Sequence, residues 1–209
     1  MVIKYFRNFN FVCFFSIFLC FISLNANAIS AKNELEKRLS KYSSFSASFL
    51  QQVQDMNGST IVKGSGTIQI KKPSLFKLNT YKPDPNTLIS DGRNVWYYDP
   101  FVQQVTVQTF KRVQSSTPLA LLTQNNPKTW DEYIIKSNGN SFNIIPKRKG
   151  QITEMSITIN KLGAIQKFSF KSKNGQTTEY SFYKFKEANF SYNNFKFKLP
   201  KNTNLVDRR

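Results

Sequence analysis

Ser65-Gly-Thr-Ile-Gln-Ile-Lys-Lys-Pro-Ser-Leu-Phe-Lys-Leu-Asn-Thr-Tyr81 holds two runs of alternating apolar and polar residues, Thr67 to Ile70 and Leu75 to Tyr81, parted by Lys72-Pro73. Alternation with period two puts Ile68 and Ile70 on one face of a strand and Phe76 and Leu78 on one face of the next, while the lysine-proline pair marks a turn. The pattern recurs on both sides. Phe45 to Phe49, Asn94 to Asp99, Gln104 to Thr109, Tyr133 to Lys136, Ser141 to Ile145, Met155 to Asn160, Ile165 to Phe170 and Thr178 to Phe185 are short, β-branched or aromatic, and mostly alternating. Turn signals separate them at Asn57-Gly58, Asp91-Gly92, Asp99-Pro100, Asn138-Gly139, Lys149-Gly150 and Asn174-Gly175. Short strands at intervals of roughly 8–12 residues predict a mainly β chain, one large antiparallel sheet curled into an open or closed barrel.

Two segments read as helix. Leu35 and Leu39 stand four apart within Ala31 to Lys41, with Tyr42 continuing the stripe and Ser30 or Asn33 available as cap. Ser116-Thr117-Pro118-Leu-Ala-Leu-Leu122 places proline just inside a start signal, ahead of helix formers. Such helices cover little of a large sheet. Either the apolar face packs on itself as a filled barrel core, or it encloses an apolar cavity with the helix at Leu119 to Leu122 as its lid.

The first 28 residues have the three-part plan of a secretory signal: Lys4 and Arg7, an apolar stretch from Phe11 to Leu24, and Ala26-Asn27-Ala28 ahead of a cleavage point at Ile29. That stretch is shorter than the roughly 20 residues of a spanning helix. Cys20 lies between Leu19 and Phe21, without the small residue that precedes an acylated cysteine. Residues 1–28 are therefore expected to be removed, leaving 29–209 as one domain.

The two cysteines, Cys13 and Cys20, fall in that signal, and the chain has no histidine. A mature protein without either has no disulfide framework, no Cys/His metal site, no thiol nucleophile and no imidazole base. The formal charge of +18, falling by two to +16 without Lys4 and Arg7, suggests nucleic acid or an anionic surface as partner. The same excess follows from A+T-rich codons, which fill surface positions with Lys and Asn. Tyr183-Lys-Phe-Lys186 and Phe195-Lys-Phe-Lys198 offer rings for base stacking, or simply alternate Phe inward and Lys outward. Lys147-Arg148-Lys149 reads as a solvated turn. Gly64-Ser65-Gly66 lacks the helix of a phosphate loop and reads as a bulge or close backbone approach. No two acids stand at a spacing that pairs a general acid with a base.

Several blocks together resemble the LolA family of periplasmic carriers of outer-membrane lipoproteins. They are Leu39-Ser-Lys-Tyr-Ser-Ser-Phe-Ser-Ala-Ser-Phe49 with Gln51, Gly64-x-Gly66, Lys72-Pro73-x-Leu75-Phe76, Ser90-Asp91-Gly92-x-x-Val95-Trp96-x-Tyr98-x-Pro100-Phe101-x-Gln103-Gln104, Thr117-Pro118-Leu119, and Phe195-x-Phe197-x-x-Pro200 through Leu205-Val206-Asp207. The resemblance implies an unclosed antiparallel β-barrel whose helices lie as a lid over an apolar cavity. It implies a monomeric, non-enzymatic carrier without cofactor or metal and without nucleic acid as partner. Such a carrier takes acylated lipoproteins from an ABC-type inner-membrane complex and hands them to an outer-membrane receptor. Apolar contacts are then expected from Phe49, Ile70, Phe76, Leu78, Trp96, Tyr98, Phe101, Leu119 and Leu122. Leu78 stands where the family often has tryptophan. Lys72 stands where the family has an arginine that ties the lid shut through lid carbonyls, and it offers three donors without the planar fork.

Magnitudes favour partial burial of the cargo. Enclosing three long acyl chains at about 0.8 kcal/mol per methylene gains roughly 30 kcal/mol, beyond the roughly 20 at which non-covalent affinity saturates. A carrier has to release.

Overall fold

The computed structural model describes residues 30–114 and 117–209; the export segment expected over 1–28 and Ser116 of the expected second helix lie outside the described residues. Helix α1 (Ala31–Leu39) begins where the Ser30 hydroxyl accepts a bond from the Asn33 amide, 3.2 Å. Glu34 in its first turn and Lys37 and Arg38 in its last suit the helix dipole. It stops two residues before the expected end at Lys41 and buries Leu35, Arg38 and Leu39.

Twelve strands follow: β1 (Ser44–Gln54), β2 (Thr60–Lys71), β3 (Leu75–Lys82), β4 (Asn86–Asp91), β5 (Asn94–Asp99), β6 (Gln104–Thr109), β7 (Tyr133–Asn138), β8 (Ser141–Pro146), β9 (Ile152–Ile159), β10 (Ile165–Ser172), β11 (Thr177–Glu187) and β12 (Asn204–Asp207). Between β6 and β7 lie helix α2 (Phe110–Gln114) and two 3₁₀ turns, Pro118–Thr123 and Pro127–Glu132; a third, Tyr192–Phe195, precedes β12. The strands form one sheet in the order β12-β6-β5-β4-β3-β2-β1-β11-β10-β9-β8-β7. Every pairing is antiparallel except β12 on β6. Since β7 and β12 are the two edges and do not pair with each other, the barrel is unclosed, as the resemblance implied.

All ten expected strands are present, and β4 and β12 are additional. Polar residues dilute the alternation of β4, and its last residue, Asp91, belongs to a turn signal. β12 is four residues long and parallel, so no local hairpin announces it.

Register decides which side chains meet. Phe45, Ile70, Phe76, Ser90 and Val95 are cross-strand neighbours from β1 to β5, as are Tyr180, Phe168, Ile157 and Phe142 from β11 to β8. Neighbours in register share a face, so these rows pave one side of the sheet, the inner face. The other side carries Ile89, Trp96 and Val107 in register.

Candidate functional site

The inner face and the helical segments make one apolar cluster. Phe49, Ile70, Phe76 and Leu78 of the sheet lie in it with Leu35 and Leu39 of α1, Leu119, Leu121 and Leu122 of the first 3₁₀ turn, and Trp130 of the second. Six of the nine expected contact residues are therefore brought together: Phe49, Ile70, Phe76, Leu78, Leu119 and Leu122. Gly66 lets the sheet fold this tightly. A Cβ there would stand 2.0 Å from the Asn79 carbonyl oxygen and 2.6 Å from the Phe49 ring, and the β2–β3 register shifts between Ser65 and Gly66. The Gly64-x-Gly66 block is thus a close backbone approach at a bulge.

Trp96, Tyr98 and Phe101 are elsewhere. Val95 is the inward residue of β5, so Trp96 and Tyr98 point outward by alternation. Trp96 stacks on Phe197, 5.2 Å between centroids and 11° between planes, and its indole N–H donates to Asp91 Oδ2 at 3.0 Å. Phe101 occupies the β5–β6 turn and is 91 % exposed. Strand parity shows that Trp96 and Tyr98 share a face; only the register of β5 on β4 shows which face.

Asp91 organises the aspartate-glycine-tryptophan block. Its Oδ1 accepts from the amides of Arg93 (2.9 Å) and Asn94 (2.7 Å). Burial pushes its carboxyl up, and the bonds from Asn94, Trp96 and Arg93 outweigh that and hold it below its ordinary value. Gly92 supplies the φ of +90° that the turn requires.

The turn between β2 and β3 pins the cover to the sheet from two sides. Lys72 Nζ donates to the Leu39 carbonyl at the end of α1. The Ser74 amide donates to the Thr123 carbonyl at the end of the first 3₁₀ turn, 3.2 Å. Ser90 steadies the turn by donating from its hydroxyl to the Ser74 carbonyl, 2.6 Å. Lys72 therefore reaches a carbonyl of α1, whereas the Leu119 to Leu122 segment is held by the backbone of Ser74. Burial pushes the Lys72 ammonium down to about 8.

Arg38 is a tether that the sequence pattern alone did not single out. Its Nε donates to Glu34 at 2.7 Å, and one terminal nitrogen donates to Asn140 Oδ1 and to the Ile159 carbonyl, both at 2.8 Å, with the guanidinium 5.2 Å from the centre of the Phe142 ring. The signal was present: at i, i+3 and i+4, Leu35, Arg38 and Leu39 share one helix face, and a charge in an apolar stripe needs buried partners. Lys32 adds an ion pair to Asp131. Among the described residues no group of three or more His, Cys, Asp or Glu is placed to hold a metal. What the site offers is apolar area beneath a cover that joins no strand of the sheet.

Comparisons with known proteins agree with this geometry. Residues 40–198 match the family described as outer membrane lipoprotein carrier protein LolA. The chain is 40% identical over 186 residues to the outer-membrane lipoprotein carrier protein of Histophilus somni (strain 2336), spanning 88% of this chain and 91% of that one. It is 35% identical over 192 residues to the protein of the same description from Aliivibrio fischeri (strain MJ11), spanning 91% and 96%. Among solved structures, an uncharacterized conserved protein from Thermus thermophilus superposes with a TM-score of 0.55 at 16% identity, over 87% of this chain and 99% of that chain, a likeness of fold.

Proposed function

The chain belongs to the LolA family of outer-membrane lipoprotein carrier proteins, and on that premise we propose that its inner face takes the acyl chains of a lipoprotein in exchange for the side chains of its own cover. The function is carriage, without catalysis. The observation that supports the exchange is the makeup of the cover: Leu119, Leu121, Leu122 and Trp130 are buried on the sheet, yet the segment bearing them joins no strand ladder. Moving it breaks few backbone bonds, chiefly those from the Ser74 amide to the Thr123 carbonyl and from the Lys147 amide to the Glu132 carbonyl.

The exchange lowers affinity. Re-exposing those four side chains costs about 6–12 kcal/mol at 1.5–3 kcal/mol each, against the roughly 30 kcal/mol available from three fully enclosed acyl chains. About 18–24 kcal/mol would remain, still near the limit of non-covalent affinity, so release also requires that the chains be only partly enclosed. Lys72 serves as latch: with the cover down its ammonium is largely withdrawn from water and bonded to one carbonyl, and with the cover up it is hydrated. The contacts assigned to Phe49, Ile70, Phe76, Leu78, Leu119 and Leu122 belong to this reading. Trp96, Tyr98 and Phe101, facing away, are left out of it.

The family is periplasmic, and Lys4, Arg7, the Phe11 to Leu24 stretch and Ala26-Asn27-Ala28 support export with cleavage before Ile29. The donor is an ABC-type lipoprotein-releasing complex of the inner membrane and the acceptor an outer-membrane receptor, partners drawn from the family resemblance. The test is to express the full-length chain with a triacylated lipoprotein, isolate the carrier from the periplasm and look for the lipoprotein in the same fractions. Co-purification that is lost when the acylated cysteine of the cargo is replaced is the expected result. A folded carrier that comes through alone sinks the assignment.

A further inference from the structure

The apolar interior reaches the surface at a half-open cleft of about 430 Å³, bounded by α2, by the Pro118–Thr123 turn and by the connection from β8 to β9. Its floor is Leu121 and Met155, both buried members of the central cluster, with Ile152 packed against them. The cleft thus abuts the cluster where acyl chains are proposed to lie, and its volume falls in the range of small-molecule sites.

Its rim is positive on both sides of the opening. Lys111 of α2 stands on one side, and Arg148 and Lys149 of the β8–β9 connection on the other. Glu132 is the one carboxylate among the described residues that line it. Its Oε2 lies 3.6 Å from Arg148 Nε, but the Arg148 side chain is 87 % exposed, so the pair is loose. Among the described residues Lys111 and Lys149 have no carboxylate partner. A triacylated lipoprotein has no anion at its acylated terminus, so its acyl chains do not account for three cations at the mouth.

We propose that this cleft is a head-group site for single-chain anionic lipids, free fatty acids or lysophospholipids, whose tail passes Leu121 and Met155 into the interior while the carboxylate or phosphate rests among Lys111, Arg148 and Lys149. The proposal rests on the acyl-chain reading of the interior and adds a second ligand class to it. The apolar floor takes the chain, and the cationic rim makes charge-assisted bonds to a head that stays partly in water. A cationic or uncharged amphiphile of the same length gains only the first.

The test measures binding of palmitate, palmitoyl lysophosphatidylglycerol and hexadecanol, below their critical micelle concentrations, by displacement of a neutral apolar dye from protein purified from the periplasm. The expected result is binding of at least one anionic lipid about tenfold tighter than hexadecanol, the advantage shrinking below threefold in 0.5 M salt and in the triple variant Lys111→Gln, Arg148→Gln, Lys149→Gln. These positions are at the surface, and circular dichroism and thermal unfolding of the variant check that it is folded. Palmitate alone showing the advantage assigns the site to fatty acids, lysophosphatidylglycerol alone to lysophospholipids. Equal affinity for charged and neutral chains, or an advantage that survives the triple substitution, overturns the head-group site while leaving the acyl-chain reading intact. No binding of any of the three overturns it too, and lipoprotein co-purification then tells whether the acyl-chain reading falls with it.

Discussion

On its inner face the sheet meets helical segments that reach it through leucines, through bonds from one turn at Lys72 and Ser74, and through the Arg38 side chain on Asn140 and the Ile159 carbonyl. On its outer face residues 188–207 are held by Phe197 stacked on Trp96, by the fully buried Phe195, by the Tyr192 hydroxyl donating to the Asp91 carbonyl at 3.1 Å, and by the four-residue ladder of β12 on β6. Leu75, Ile89, Val105 and Val107 are buried on the sheet outside the inner cluster. Both covers hide apolar area, but the outer one also completes the hydrogen bonding of an edge strand, and lifting it would leave β6 unpaired on that side. With one cover stitched and the other pinned, the proposed exchange asks only the inner side to open.

The contrast breaks most visibly at Phe195. Phe195→Ala is expected to cost about 3–5 kcal/mol in denaturant-induced unfolding while the remaining folded protein still captures lipoprotein; a stable variant that cannot capture would reverse the roles of the two covers. Next in size is Arg38→Met. It leaves the Ile159 carbonyl and Asn140 without their donor and Glu34 without its partner, and about 2–3 kcal/mol of stability should be lost, with faster amide exchange concentrated in α1. Exchange spread evenly over the sheet would show that Arg38 does not act as the tether of that helix. Lys72→Arg should change stability little but lower apolar-dye binding by the empty protein, since a planar fork makes more bonds to cover carbonyls. Equal dye binding by the two proteins removes the latch from Lys72.

The last test is in pH. In the folded protein Lys72 loses its proton near 8, and in the unfolded chain near the ordinary 10.5. Between those values the unfolded state binds more protons, so this residue's contribution to stability rises with pH, is complete above 10.5, and is lost as pH falls through 8. The stability difference between the native protein and Lys72→Met should therefore shift in favour of the native protein between pH 8 and 10. A flat difference would mean that Lys72 is hydrated in the closed state.

Alternation made the strands legible because each apolar residue of a two-faced sheet has polar neighbours, and Pro118 with its leucines announced a helical turn for the same local reason. What stayed hidden was non-local. Nothing near Trp96 tells which face it takes; that follows from Val95 lying in register with Ser90 and Phe76, and from Phe197 arriving a hundred residues later. β12 is legible only as a partner of β6. The second 3₁₀ turn carried a local signal, Asn126-Pro127, where the Asn126 side chain caps the turn, and Arg38 carried one in its helix phase. For the proposed inner contacts, register separates Phe49, Ile70, Phe76 and Leu78, which lie beneath the cover, from Trp96 and Tyr98, which face away.

The placement of β1 between β2 and β11 has a temporal consequence. The first strand of the sheet pairs with one that ends at Glu187, and the outer face is roofed only by residues that come later still. A chain that folds as it emerges can form the hairpins from β2 to β6 early, but its centre waits for nearly the whole polypeptide, with Ile89 and Trp96 bare until the end. Such high contact order slows folding and prolongs the exposure of sticky surface. The closing segment thus acts as a completion signal: a carrier truncated before residue 190 would be a client for chaperones and proteases.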